Sequence, residues 1–410
     1  ALDVIVPGNP VTAEKALEMG IIDRTAEGDL LAAAKDHARD IASQANPPVA
    51  LRDREDMLEA TRQNPSSFEA HAAALTRKAH GLEAPHACVR AVRMALDTPF
   101  DEALAKEREM FIELMHGDQS KAQRHLFFAE REAGKVPGIP SDVTPREIRK
   151  AAVIGGGTMG GGIAMSLVNG GIPVTILEMS EEAIERGLGV IRRNYETSVK
   201  RGSITQEECD LRLSRLATTT LYEDIADADL VIEAVFEEMA VKKEVFARLD
   251  AVMKPGAIMA TNTSYLDVDE IAQMTARPSD VLGMHFFSPA NVMKLLEIVR
   301  GKESAPDIIV TALKLGKRIG KVPVVVGVCH GFVGNRMLSA RMEETEDLLL
   351  EGATPGEVDK AFTDFGFLLG HFGMADLAGL DIGWRTRKAL GKTAAIADAL
   401  CEAGRLGLDL

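Results

Sequence analysis

Residues 150–178 read KAAVIGGGTMGGGIAMSLVNGGIPVTILE, and this stretch decides the fold. A short apolar run, AAVI, is the length of a buried strand. Glycines follow at once, then a helical pattern, then a second apolar run ending in Glu178. Gly155, Gly157 and Gly160 make GxGxxG at the strand-to-helix turn. Such glycines permit a tight turn, close backbone approach to a diphosphate and close helix–strand packing. The helix N-terminus then offers unpaired N–H groups to the phosphates. Glu178 stands roughly 20 residues beyond the first glycine, where an acid grips the ribose hydroxyls. A carboxylate there repels the extra phosphate of NADP, and Met179 and Ser180 supply no cation in its place, so the expected cofactor is NAD.

The same texture continues outward. DLVIEAV (229–235), AIMATN (257–262), VLGMHFF (281–287), LLEIV (295–299) and VPVVVG (322–327) read as further strands. Helical stretches intervene, one opened by Thr205 with Glu208 three residues on, a capping box. Strands alternating with helices predict an α/β, Rossmann-type doubly wound, mostly parallel sheet. After about Gly331 the pattern is helical only, with Thr354-Pro355 starting a helix. Residues 1 to about 132 also read as helical, as in Asp29–Ala45 and Ala87–Thr98. Pro137, Pro140 and Pro145 mark a linker. The expected organisation is a helical part over 1–132, a linker over 133–148, a dinucleotide-binding domain over 149–329 and an all-helical second domain over 330–410.

Totals narrow the function. The 410 residues carry a formal net charge of −15, with one Trp and three Tyr. An acidic surface repels nucleic acid and anionic membranes, and scarce aromatics argue against base-stacking platforms. No apolar run approaches the roughly 18 residues of a spanning helix. The opening ALDVIVPGNP lacks signal-peptide character and a starting Met, so the chain reads as beginning inside a domain. Cys88, Cys209, Cys329 and Cys401 show neither metal-ligand spacing nor a disulfide framework. No metal is expected, and a reducing, cytosolic setting fits.

Beyond the AIMATN run stand four polar residues: Ser264 in TNTSYL, His285 in GMHFFSP, Glu297 in KLLEIV and Asn335 in GFVGNR. Each has a plain reading. His285 could be structural, Glu297 could face solvent from an edge strand, and Ser264 and Asn335 could cap helices. Together they suit oxidation of a secondary alcohol. Histidine is a base for the hydroxyl proton, a carboxylate on its other nitrogen fixes the tautomer, and Ser and Asn hold the substrate oxygen.

GGGTMG, ADLVIEAV, TNTSYL, GMHFFSPA, MKLLEIV and GFVGNR, in this order, resemble the 3-hydroxyacyl-CoA dehydrogenase family over about Arg149 to Gly383. The resemblance implies that His285 is the general base and Glu297 its partner. Ser264 and Asn335 would contact substrate, with Ser264 also beside the nicotinamide. Gly155, Met159, Glu178, Val235, Phe236, Glu237 and Lys242 match cofactor-contacting positions. Ser288 stands where many members carry Asn. Leu368 and His371 replace loop prolines of relatives, which should loosen that loop, and His371 is not expected to be catalytic.

The first residues, ALDVIVPGNPVTAEKALEMGIID, are similar to the last third of an enoyl-CoA hydratase (crotonase) domain. The chain thus resembles multifunctional fatty-acid-oxidising enzymes of the bacterial α-subunit or peroxisomal bifunctional type. Hydratase chemistry is expected only in a full-length enzyme. At the other end, relatives would continue beyond LGLDL (406–410) into a second helical copy, so the helical domain reads as incomplete. The resemblance implies an acyl-CoA substrate and admits a thiolase subunit and self-association as partners. Two alternatives stand beside it. One is an NAD-binding but catalytically incomplete fragment serving as a scaffold. The other is an NAD enzyme of the 2-hydroxyacid or 6-phosphogluconate type, against which HFFSPA and GFVGNR argue.

Overall fold

The computed structural model describes residues 1–410 except 46–48, 57, 78, 80, 141, 390 and 408–410. Ser141 of the expected linker and the last three residues of LGLDL therefore lie outside the described residues. Two units emerge, Phe127–Leu350 on one hand and Ala1–Leu126 with Glu351–Leu410 on the other.

The first unit is built on eight strands: β1 (Ala151–Ile154), β2 (Val174–Leu177), β3 (Leu216–Thr219), β4 (Leu230–Glu233), β5 (Ile258–Thr261), β6 (Val281–Phe286), β7 (Leu295–Arg300) and β8 (Val322–Gly327). They lie in the order β3-β2-β1-β4-β5-β6-β7-β8. All neighbours are parallel except β6 and β7, which pair antiparallel. β1, β2, β4 and β5 are buried at every residue, which is why they read as continuous apolar runs. The order reverses at β1, flanked by β2 and β4. Ligands of such sheets bind outside the strands' carboxyl ends at this point.

Five helices matter to the site: α1 (Thr158–Asn169), α2 (Glu181–Lys200), α3 (Met239–Val252), α4 (Pro306–Arg318) and α5 (Gly334–Leu350). One core gathers Val153, Ile163, Leu167, Ile176, Ile191 and Met284 on one face of the sheet; a second gathers Ile154, Val231, Phe246, Leu249 and Met259 on the other. The Thr205–Glu208 capping box is present as expected. The sequence reading missed β3. Its LATT run is partly exposed at the sheet edge, so neither an apolar run nor a regular alternation announces it.

In the other unit, the described residues form helices and no strand. Leu2, Phe68 and Ala72 centre a small cluster with Val89, Val92 and Leu96. Thr354 and Glu357 form a capping box ahead of the helix Pro355–Phe365. His371 begins the helix His371–Ala378 and is buried, and Asp359 accepts the N–H groups of Phe372 and Gly373 there.

Candidate active site

The glycine turn works by exclusion. Gly155 has φ +93°, and a β-carbon on it would meet the Ala234 carbonyl oxygen at 2.7 Å. A β-carbon on Gly160 would stand 1.7 Å from the Gly155 oxygen, so α1 can pack this close only with glycine there. Gly157 differs: nothing lies within 4 Å of the position its β-carbon would take. That open space faces the start of α1, where backbone N–H groups lack intrahelical partners. A cradle that a β-carbon would fill, set over a helix N-terminus, fits a dinucleotide diphosphate. Gly157 and Thr158 also line a cavity of about 240 Å³ shared with Gly187, Val190 and Asn194 of α2 and with Pro289 and Asn291.

Glu178 closes the turn from the side. Its Oε1 accepts the Gly156 N–H at 2.6 Å and its Oε2 that of Met179 at 3.0 Å. The acid expected to hold a ribose therefore also shapes the loop beneath the diphosphate. Met159 is half-buried in the first turn of α1. Val235 and Phe236 follow β4 directly beside Gly155, and the Phe236 ring is exposed.

His285 and Glu297 come together. They are direct partners in the antiparallel β6–β7 register, so their side chains share a face. His285 Nδ1 and Glu297 Oε2 are 2.7 Å apart, with the residues 3% and 1% exposed. Glu297 Oε1 accepts from Val333 N at 3.0 Å and Gly334 N at 2.8 Å, at the entry to α5. Burial alone would raise the Glu297 pKa. The hydrogen bonds from His285, Gly334 and Val333 outweigh burial and hold it below the ordinary carboxylate range. The reading of Glu297 as a solvent-facing edge residue is thereby excluded.

The imidazole is walled by Phe287 and Phe332, with ring centroids at 4.5 and 5.7 Å. Phe332 has φ +45° in the GFVG turn, and a β-carbon on Gly334 would strike the Phe287 ring at 2.7 Å. The turn thus needs glycine where it passes over the aromatic wall. His285 Nε2 makes no hydrogen bond to a described residue and is not among the buried, unpartnered atoms. Asn335, the second residue of α5, adjoins Gly334 and so lies next to the carboxylate's hydrogen bonds.

Ser264 is held by a network that sequence reading saw only in part. Glu237 Oε1 accepts Thr263 Oγ1 at 2.6 Å, Ser264 N at 2.7 Å and Tyr265 N at 3.1 Å. Lys242 Nζ lies 3.3 Å from Glu237 Oε2 and 2.7 Å from Glu233 Oε1. Glu233 also accepts from Val235 N and Thr261 Oγ1. Lys242 is 1% exposed, so it reaches the crevice through Glu237 rather than with a free ammonium. Asn262 Oδ1 accepts Phe286 N at 2.8 Å, which ties the Ser264 turn to the strand bearing His285. The Tyr265 and His330 rings, 5.1 Å apart, tie it to the segment leading into α5. Ser288 is exposed on the loop after β6, whose Pro289 and Asn291 line the cavity over Gly157.

Glu233, Asn262, Thr263, Phe287 and Phe332 were not singled out from sequence. Glu233 carried a signal: a glutamate ending an otherwise apolar, fully buried strand demands a partner. Among the described residues no cluster of His, Cys, Asp and Glu could hold a metal, and no helix is long and apolar enough to cross a membrane.

Known proteins match this architecture. Residues 150–329 match the family of 3-hydroxyacyl-CoA dehydrogenase NAD binding domains, and residues 331–409 match the C-terminal domain of the same dehydrogenase. The chain is 43% identical to a peroxisomal bifunctional enzyme of Danio rerio over 99% of its own length and 59% of that protein's. It therefore spans well under two thirds of that relative. Among solved structures, the (S)-3-hydroxybutyryl-CoA dehydrogenase of Ralstonia eutropha superposes with a TM-score of 0.60 at 31% identity, covering 64% of this chain and 96% of that one. The 3-hydroxybutyryl-CoA dehydrogenase of Escherichia coli superposes with a TM-score of 0.60 at 36% identity, over 64% of this chain and 58% of that one.

Proposed function

The chain belongs to the 3-hydroxyacyl-CoA dehydrogenase family, and from that premise we propose that it oxidises (S)-3-hydroxyacyl-CoA to 3-ketoacyl-CoA with NAD in fatty-acid β-oxidation. The observation that carries this reading is the buried His285–Glu297 pair, with a ring nitrogen left free at the carboxyl ends of the strands.

NAD, when bound, supplies a hydride acceptor. Everything else falls to the chain. His285 Nε2 takes the proton of the substrate's hydroxyl as general base. Its Nδ1–H is fixed on Glu297, so the tautomer that presents a lone pair at Nε2 is the populated one. Glu297, ionised by its three hydrogen bonds, stabilises the imidazolium that results. The Ser264 hydroxyl and the Asn335 amide orient the substrate oxygen as its charge changes. Phe287 and Phe332 exclude water from the imidazole faces.

The dinucleotide would be held by Gly155, Gly157, Met159 and Gly160 at the diphosphate and by Glu178 at the ribose. Val235, Phe236, Glu237, Ser264 and Ser288 would line the remainder, with Lys242 acting through Glu237. The expected substrate is an acyl-CoA. Hydration of enoyl-CoA is assigned to a longer enzyme of the bifunctional kind. A thiolase subunit and self-association are the proposed partners. Four free thiols suit a reducing compartment, and the cytosol is the proposed one; the relative's name makes a peroxisome the second reading.

The test is NADH absorbance with acetoacetyl-CoA as oxidant. Turnover by the intact chain supports the proposal. NADH binding without turnover would leave the scaffold reading in its place.

A further inference from the structure

Lys321 is a buried lysine that the mechanism does not use. It follows Gly320, which has φ +73° after the end of α4, and opens the way into β8. The residue is 8% exposed. Its Nζ donates to the Ala290 oxygen at 2.5 Å and to the Met293 oxygen at 2.8 Å. Both acceptors are backbone carbonyls and, among the described residues, no carboxylate pairs with it; burial lowers its affinity for the proton. Burying an ammonium against neutral dipoles alone costs stability. A position filled this way calls for a reason other than packing.

The carbonyls it holds belong to one loop. Residues 288–293 leave β6 after the aromatic wall, carry Ser288, and contribute Pro289 and Asn291 to the cavity over Gly157 and Thr158. Ala290 sits between the two lining residues. Its oxygen also lies 3.1 Å from Ser166 Oγ of α1, whose single hydroxyl proton is shared with the Gly162 oxygen at 3.0 Å, so Lys321 is the main donor to it. Val292 N and Met293 N turn back onto the Pro289 oxygen. In a trans peptide the N–H points opposite to the C=O. With the Ala290 oxygen fixed chiefly on Lys321, the Asn291 N–H is aimed the other way, and no backbone acceptor within the described residues takes it.

We propose that Lys321 is a positioning residue: its ammonium clamps the 288–293 loop through Ala290 and Met293, so that Ser288 and the Asn291 N–H stand ready for the dinucleotide at the start of α1. This rests on the NAD-dependent reading above. The Lys321 ammonium lies one peptide away from the cavity, and among the described residues no Lys or Arg side chain lines the cavity itself.

The test compares Lys321→Met, which keeps the stem and removes the donors, with Lys321→Gln, which keeps a shorter, neutral donor. Two readouts are taken: backbone amide exchange of residues 290–293 and NADH affinity by fluorescence titration. Met should speed exchange in that loop by about tenfold or more and weaken NADH binding by about tenfold, with Gln recovering part of both. Unchanged loop exchange in both variants overturns the clamp. Faster loop exchange with NADH affinity kept within twofold overturns the link to the cofactor. Should Met not fold, the Gln variant alone decides on the same two criteria. Failure of the dehydrogenase reading would appear differently, as an intact chain that binds no NADH while the exchange comparison still reports on the clamp.

Discussion

His285 and Glu297 face each other across the single antiparallel step among the described strands, Nδ1 to Oε2 at 2.7 Å. An antiparallel pair sets opposite residues side by side on one face, so the fold delivers the base already next to its acid. Two backbone N–H groups at the mouth of α5 then hold the carboxylate's other oxygen. Base orientation and the start of α5 are thus one hydrogen-bonded unit.

Replacing Glu297 by Gln leaves an amide where three donors need an acceptor pair. We expect a loss of about 2 kcal/mol or more, because buried donors go unsatisfied. The sign of the pH dependence follows from the depressed pKa of Glu297. Its stabilisation is complete above the ordinary carboxylate pKa and disappears as pH falls through the lower native value. The stability gap between wild type and Glu297→Gln, from urea unfolding, should therefore shrink on going from pH 7 into the acid range. A gap independent of pH would contradict it.

The glycine turn gives a matched pair of substitutions. Gly160→Ala drives a β-carbon into the Gly155 oxygen and should destabilise the chain by about 1–3 kcal/mol or more. Gly157→Ala meets nothing and has an ordinary φ of −67°, so thermal stability should hold. It should nonetheless weaken NADH binding by about tenfold, because the methyl fills the diphosphate cradle. Normal NADH affinity in Gly157→Ala would remove the diphosphate from that cradle.

Glu178→Ala should relax cofactor choice. It removes the carboxylate that repels a 2′-phosphate and releases the Gly156 N–H. NADH should bind more weakly while NADPH gains relative to it by about tenfold, read by parallel fluorescence titrations. An unchanged NADH/NADPH ratio would show that Glu178 serves the loop alone.

Lys242→Met strips the cation from between Glu233 and Glu237. A buried ion pair broken on one side costs about 3–5 kcal/mol, which unfolding in urea would register. The Ser264 turn, capped by Glu237, should lose definition with it. A change below about 1 kcal/mol would show that the Lys242 pairs with Glu233 and Glu237 do not hold this region together.

How far these relations could be read from sequence depends on what each one needs. Gly155, Gly157, Gly160 and Glu178 announce themselves because a steric demand fixes both residue type and spacing. β1, β2, β4 and β5 announce themselves because burial on both faces leaves mostly apolar residues. β3 did not, since a partly exposed edge strand of Leu, Ala and Thr satisfies neither pattern. His285 and Glu297 were visible as residue types, but only strand register shows that they touch. The Glu233–Lys242–Glu237 network joins three elements and has no local signature beyond a charge at the end of an apolar run. Lys321 bonds to carbonyls, which no sequence records.

The most direct test of the account is acetoacetyl-CoA reduction by the intact chain and by His285→Ala, with NADH affinity measured on both. The variant should lose about 10²–10⁴-fold in turnover while binding NADH within twofold of wild type. Near-normal turnover in the variant would show that another group moves the proton.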